Sequence, residues 1–355
     1  MIMKDTLAAF SLNAEKATWL EFGSGRINNT YMVTVEDDKT YVLQKINKYV
    51  FKEPEKVMAN ISAVTNYLHA NATGSCTTLR FLTTKEGLYY HIDKDGEYWR
   101  LYEYVPGIGK NAPETDDDLY QSALAFGWFQ NQLASFPAET LYETIPNFHN
   151  TIDRYVQLKK TIAADPVGRV ASAKAEIDFV LAREEAGGTI QRMLDAGELP
   201  LRVTHNDTKL NNVLLDEETH KGVCVLDLDT VMPGSSLYDF GDSIRFGAPT
   251  AGEDEVDPAK VGVDLHLFEV YTKGYLEAVP SLTEKEIDML PMGAFIMTLE
   301  LVVRFLKDYL DGDLYFRVTH PEHNLVRARN QLALAHDMEK KLPEMQRIVE
   351  KLRRK

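Results

Sequence analysis

The sequence predicts an α+β chain of two lobes. Residues 1–105 form a small strand-rich lobe and residues 106–355 a larger, mostly helical one. Three observations lead there. Short β-prone runs separated by turns dominate the first hundred or so residues. Apolar residues at three-to-four spacing dominate the rest. A polar stretch, VTHNDTKLNNVLLD at 203–216, interrupts the helical part with short strand-like pieces around it.

In chain order, residues 17–47 contain the β-prone run Thr30–Val35, the turn EDDKT and the run YVLQKI, which together read as a hairpin. Residues 54–70 have helical spacing, with Pro54 suited to a helix start and Val57, Ile61, Val64 and Leu68 on one face. TTLRFL, LYYHID and YWRLYEYV follow as short strands divided by KEG and KDGE turns. VPGIG, at 105–109, interrupts the pattern and marks the lobe boundary. Segments 116–135, 150–163, 173–195, 259–279, 283–311 and 322–353 read as helices. Residues 201–231 read as strands and turns, LRVTH, VLLD and GVCVLDLDTV. No internal repeat or low-complexity tract is present.

A hydrophobic fraction of 44% over 355 residues is ample for a sizeable core. The net charge of −15 opposes nonspecific contact with nucleic acid or an anionic membrane. It still allows an anionic nucleotide, held by a divalent cation and a few local amides. No run approaches the ~18 consecutive apolar residues of a membrane helix. The N-terminus carries acids and lacks the long apolar stretch of a secretory signal. Cys76 and Cys224 are far apart in sequence and have no partner motif, so a cytoplasmic chain with two ordinary small apolar cysteines is expected.

His205, Asp207, Lys209, Asn211 and Asn212 are more polar side chains than a turn needs. Downstream, Asp227 follows Val223, Val225 and Leu226 at the end of a buried strand, with Asp229 two residues on. Burying unpaired carboxylates is costly, so two at a strand end make sense beside a cation. Asn212 would add a neutral oxygen, giving the oxygen-only shell that Mg²⁺ prefers. Alone, an Asp-x-Asp is usually a solvated turn and an HND a cap. Joined within so short a span, behind a strand-rich lobe, they point to chemistry. His-x-Asp-x4-Asn is the catalytic-loop spacing of protein kinases and of smaller kinases with their bilobal fold. Asp207 then accepts or orients the acceptor hydroxyl proton. Asn212 and Asp227 hold Mg²⁺ on the ATP phosphates, and His205 bonds loop backbone.

In EFGSGRINNTYMVTV, Gly23 and Gly25 lie between strand-like segments, where amides can approach phosphates; a plain hairpin turn reads equally well there. In YVLQKI, Gln44 stands where a V-A-I-K register expects lysine. Lys45 is one residue off and faces the other way, and the sequence leaves open which of them reaches nucleotide. RLYEYVPG resembles the connection between lobes, with backbone groups from Glu103 to Val105 toward adenine. HPEH (His320 and His323) has metal-like spacing without a completed zinc shell, and reads as a turn and helix start.

HNDTKLNNVLLD, VLDLDTVMPGSSLYDFGDSIRFGA and FLKDYLDGDLYF…PEHNLVRAR resemble the N-acetylhexosamine 1-kinases, within the aminoglycoside phosphotransferase and choline kinase superfamily. The resemblance runs from SGRINNTY to the last helix. It implies ATP- and Mg²⁺-dependent phosphorylation of the anomeric hydroxyl of N-acetylglucosamine or N-acetylgalactosamine. It assigns Asp207 as the base and Asn212 and Asp227 as metal ligands, with Asp229 touching metal or orienting a neighbour. Arg304 and Tyr315 stand in segments that contact sugar in that family; a helix-face salt bridge and a core aromatic are their plainer readings. Asp242 and Arg245 are pocket residues or an internal ion pair. The family carries a histidine where this chain has Arg26, a larger fixed charge that leaves the choice of sugar open. Other acceptors of the same fold are another sugar, an aminoglycoside, choline or homoserine. A catalytically dead binding module is a further alternative, against which intact Asp207, Asn212 and Asp227 argue.

Overall fold

The computed structural model describes residues 2–23, 27–36, 39–74 and 76–353. After helix α1 (Ile2–Ala9) come strands β1 (Thr18–Glu21), β2 (Asn29–Thr34) and β3 (Thr40–Lys45), each antiparallel to the next. The expected hairpin is β2–β3, and β1 extends it to three strands. Helix α2 (Pro54–Asn71) starts on Pro54, where a missing N–H costs nothing, and buries Val57, Ile61, Val64 and Leu68 as the spacing implied. β4 (Thr77–Thr78), β5 (His91–Ile92) and β6 (Tyr98–Glu103) follow, and the N-terminal sheet runs β1-β2-β3-β6-β5.

The helical part contains α3 (Asp116–Gln132), α4 (Thr151–Ala164), α5 (Lys174–Leu181), α6 (Glu184–Gly187) and α7 (Thr189–Asp195). Strands β7 (Arg202–Thr204), β8 (Val213–Leu215), β9 (Gly222–Val225) and β10 (Met232–Gly234) are inserted next. Helices α8 (Ser236–Gly247), α9 (Leu265–Ala278), α10 (Glu284–Asp311) and α11 (His323–Arg353) complete the chain. Two expectations change. Residues 173–195 are three short helices rather than one, because the chain breaks near Arg183 and at Gly187–Gly188. A Cβ at Gly187 would meet the Tyr155 ring at 2.7 Å, so close packing on α4 takes precedence over helix propensity. Helix α8 fills a stretch where the glycines and serines of PGSSLYDFGDS mask the helical period.

β4 leaves its own sheet. Thr77 and Thr78 pair in parallel with Cys224 and Val225 of β9. One apolar cluster likewise joins Val42, Ile46, Phe51 and the inner face of α2 to Phe126, Phe129, Val203 and Val213. The two lobes thus share a core. The β4–β9 pairing also brings Cys76 beside the strand that carries Cys224, and both thiols are free. Helix α10 is long and apolar enough to cross a membrane by length and composition, yet 83% of its most apolar window is buried inside the protein. It is the central helix of the larger lobe, opened by a Thr283–Glu286 capping box and closed by Gly312 at φ 97°.

Candidate active site

The HNDTKLNN loop hangs between β7 and β8, and helix α8 grips its backbone. Asp239 accepts the N–H groups of His205 (2.9 Å) and Asn206 (2.8 Å), and the Gln130 amide donates to it at 2.6 Å. Asp242 accepts the Thr208 N–H at 3.0 Å. The backbone on both sides of Asp207 is therefore pinned from one helix. Asn206 sits in the left-handed region (φ 66°), a strained place for a non-glycine residue that these bonds hold in place. Burial pushes the Asp239 carboxyl up against the pull of His205 and its donors. Burial works the same way on Asp242, but there Arg245 and Lys209 prevail and hold the carboxyl low. Asp242 and Arg245 form an internal ion pair at 2.8 Å, with Glu253 on the far side of the guanidinium at 2.9 Å. His205 is a backbone-holding residue: its Nε2 lies 2.7 Å from the Leu226 carbonyl, and its ring packs edge-on against Phe126 and Phe129.

Asp207 faces the cleft with its side chain 27% exposed. Lys209 Nζ lies 2.8 Å from its Oδ1, and the Asn212 amide donates to its Oδ2 at 3.1 Å and its carbonyl at 2.8 Å. With its nitrogen committed, Asn212 has its Oδ1 available to a cation. Asp227 lies two residues beyond β9 in a left-handed conformation (φ 52°) and is exposed at the surface. Desolvation by the protein atoms crowding the carboxyl, then the charges of Asp229 and Asp207, push its pKa up to about 7 against Arg100 and Lys209. Excess negative charge at one point is what a divalent cation relieves. Among the described residues, no group of three or more His, Cys, Asp or Glu is set to hold a metal unaided. The donor set of Asn212 and Asp227 fits Mg²⁺, which takes one or two protein oxygens and completes its shell with phosphate and water.

Asp229, expected beside the metal, is buried and committed elsewhere. One oxygen pairs with the Arg100 guanidinium and the other accepts the Asn28 amide at 2.6 Å. Arg100 Nε in turn donates to Gln44 Oε1 at 2.9 Å, and Gln44 Nε2 to Thr30 at 3.0 Å. Gln44 thus faces the site through Arg100, while Lys45 makes no ion pair among the described residues. Gly23 adopts φ 81° with open space around it; Gly25 and Arg26 lie outside the described residues. At the lobe connection, the Glu103 N–H is used by the Arg80 carbonyl at 3.0 Å, which leaves the Glu103 carbonyl, and the Val105 N–H has no partner among the described residues. Half-exposed Phe22 stands edge-on to Tyr104 at 6.0 Å, an apolar surface beside that connection.

On the other side of Asp207, Arg304 and Tyr315 come together. The Arg304 guanidinium lies over Phe148 (5.2 Å), Phe316 (5.6 Å) and Tyr315 (6.0 Å). Tyr315 is 67% exposed, so it is no core aromatic. Arg304 is only 3.6 Å from Glu300, whose carboxylate is already met by His149 Nδ1 at 3.0 Å. His149 Nε2 lies 3.4 Å from the Asn206 carbonyl, which links this cluster to the loop carrying Asp207. Arg154 is a second cation here: burial, then the charge of Arg304, lower its pKa. His323 begins α11 and pairs with Asp254 at 2.9 Å, as a helix start would.

Sequence reasoning missed Asp239, Arg100 and Arg154. Lys209, inside the motif, was noticed without a role.

Residues 18–272 match the phosphotransferase enzyme family. The chain belongs to that family. Its fold is similar to several solved kinases of low identity. An aminoglycoside phosphotransferase from Alicyclobacillus acidocaldarius is 14% identical, with 99% of this chain and 97% of that one covered and a TM-score of 0.65. A choline kinase from Cryptosporidium parvum is 13% identical, with coverage of 98% and 96% and a TM-score of 0.62. An amicoumacin kinase in complex with AMP-PNP, Ca²⁺ and Ami is 13% identical, with coverage of 94% and 92% and a TM-score of 0.62.

Proposed function

We propose that this phosphotransferase uses ATP and Mg²⁺ to phosphorylate the anomeric hydroxyl of an N-acetylhexosamine, giving the sugar 1-phosphate. Transfer itself is supported by Asp207, Lys209, Asn212 and Asp227 meeting at one cleft beside the lobe connection. Phosphoryl transfer needs positioning and charge neutralisation rather than covalent work by the protein. Mg²⁺, held by Asp227 and Asn212, would neutralise phosphate charge. Asp207 orients the acceptor hydroxyl and takes its proton. Lys209, paired with Asp207, adds positive charge where charge accumulates on the transferred group. The Glu103 carbonyl and Val105 N–H suit the edge of an adenine.

The observation that carries the choice of acceptor is the Arg154–Arg304 pair. Two guanidinium groups beside Glu300, whose carboxylate is already committed to His149, repel a cation such as choline or an aminoglycoside. A neutral sugar fits: its acetamido carbonyl can accept from an arginine, and exposed Tyr315 offers a face for the ring. The sequence resemblance points to the same class. The test is ATP turnover with Mg²⁺ against N-acetylglucosamine, N-acetylgalactosamine, glucose, galactose, choline and kanamycin, with phosphorus NMR of the product. A 1-phosphate from an acetylated sugar is expected. Turnover of choline or kanamycin alone would overturn the acceptor and keep the phosphotransferase.

A further inference from the structure

The strand that should supply a phosphate-pairing lysine carries Gln44 instead, and Gln44 spends both amide atoms inside the protein. The cation that Gln44 contacts is Arg100, on the neighbouring strand β6 and opposite Gln44 in the register. Its guanidinium is fully buried and reaches across the cleft to Asp229, a residue of the larger lobe. Asp229 also takes the Asn28 amide, and Asn28 in turn accepts the Asn47 N–H at 2.9 Å. Asn28 immediately precedes β2. A single carboxylate therefore joins three places: the residue leading into β2, the sheet at Gln44 through Arg100, and the segment holding Asp227 two residues upstream.

We infer that the Arg100–Asp229–Asn28 cluster is a clamp between the lobes. It positions Asp227 against the N-terminal sheet, the positioning work otherwise done from the lysine of β3. Arg100 and Asn28 are positioning residues; neither contacts the reacting atoms. The inference rests on the ATP- and Mg²⁺-dependent reading of the site.

Two physical points favour a clamp over an ordinary buried ion pair. A buried ion pair is weak evidence for stability, because desolvation offsets the attraction. Here the hydrogen bonds run to separate elements in both lobes, so their common effect is on lobe geometry. Asp227 also sits in a left-handed conformation that needs its neighbours to hold it.

The test is nucleotide binding by calorimetry, with and without Mg²⁺, on the full chain as wild type, Asn28→Ala, Arg100→Lys and Asp229→Asn, beside the melting temperature of each. In wild type, Mg²⁺ should strengthen ATP binding. In Asn28→Ala and Arg100→Lys that Mg²⁺-dependent gain should shrink ~10-fold, the scale of one hydrogen bond to a charged group, while Mg²⁺-free ATP affinity stays at the wild-type value. Arg100→Lys keeps the charge and loses the fork, so its loss should be smaller than that of Asp229→Asn. An unchanged Mg²⁺-dependent gain in Asn28→Ala, with or without a drop in melting temperature, overturns the clamp. Asn28 is only half-buried, so that variant decides the matter even where the Arg100 and Asp229 variants fail to fold. Wild type that binds no ATP would instead overturn the kinase reading beneath it.

Discussion

At the residue scale, the site depends on a few groups whose roles separate cleanly under substitution. Asp207→Asn removes the proton acceptor but keeps its size, with one oxygen left to accept from Lys209 or Asn212. Turnover should fall by ~10²–10⁴, the range for losing a general base, while ATP affinity stays near wild type. Steady-state rates and a binding titration check both halves, and near-wild-type turnover would remove Asp207 from the mechanism. Arg154 makes a different prediction. Arg154→Gln takes one of two adjacent cations out of the acceptor side, so the ratio of kcat/KM for N-acetylglucosamine over glucosamine should fall, with glucosamine gaining. An unchanged ratio would mean that Arg154 does not read acceptor charge. That Asp207, Asn212 and Asp227 gather at one place was legible in the sequence, because they lie in one short loop and just past the strand beyond it. Arg100 was not: its partner Asp229 is 129 residues away, and nothing around either residue announces the other.

At the scale of elements, the strands and long helices were legible from period alone, and α8 was not. Its sequence mixes glycine, serine and acids because almost every side is buried and occupied: Asp239 and Asp242 hold the loop carrying Asp207, and Gly241 lets α10 approach. A Cβ on Gly241 would lie 2.5 Å from the Gly293 carbonyl and 2.6 Å from Met297. Gly241→Ala should therefore force α8 away from α10 and lower stability by ~1–3 kcal/mol, the usual cost of overpacking. It should also lower turnover, since Asp239 and Asp242 ride on the same helix; a thermal melt and a rate assay measure both. The start of α10 makes a pH prediction. Burial raises the Glu286 pKa, but Arg202 (2.7 Å), the Thr283 N–H and Ser236 (2.7 Å) outweigh it, so the folded value lies below the ordinary 4.5. A depressed carboxyl stabilises the fold above its unfolded pKa and loses that contribution as pH falls through the folded one. Glu286→Gln should melt well below wild type at pH 7, and the gap should close as the pH drops below 4.5. A gap that persists in acid would show that the carboxylate charge is not what stabilises the helix start.

At the scale of the whole molecule, the two lobes read from the sequence are joined more closely than a hinge at VPGIG suggests. The sequence shows the change of period there. It does not show that β4 crosses to the sheet of the larger lobe, because a two-residue strand carries no pattern. Nor does it show that α2 packs with Phe126 and Phe129 of α3 in one cluster. A lobe that depends on another for part of its core has no separate folding free energy, so the chain should unfold as one cooperative unit despite its size. Separate lobes would give two transitions, and a nucleotide bound at the cleft would raise only one of them. A shared core predicts a single calorimetric peak, with calorimetric and van't Hoff enthalpies in agreement, and the whole peak should move up together when ATP and Mg²⁺ are added. Residues 1–105 alone should remain unfolded, since they would expose the apolar face of α2 and leave β4 unpaired. Two resolved peaks, or a folded N-terminal fragment, would show that contact across the cleft is docking between finished lobes rather than a common core.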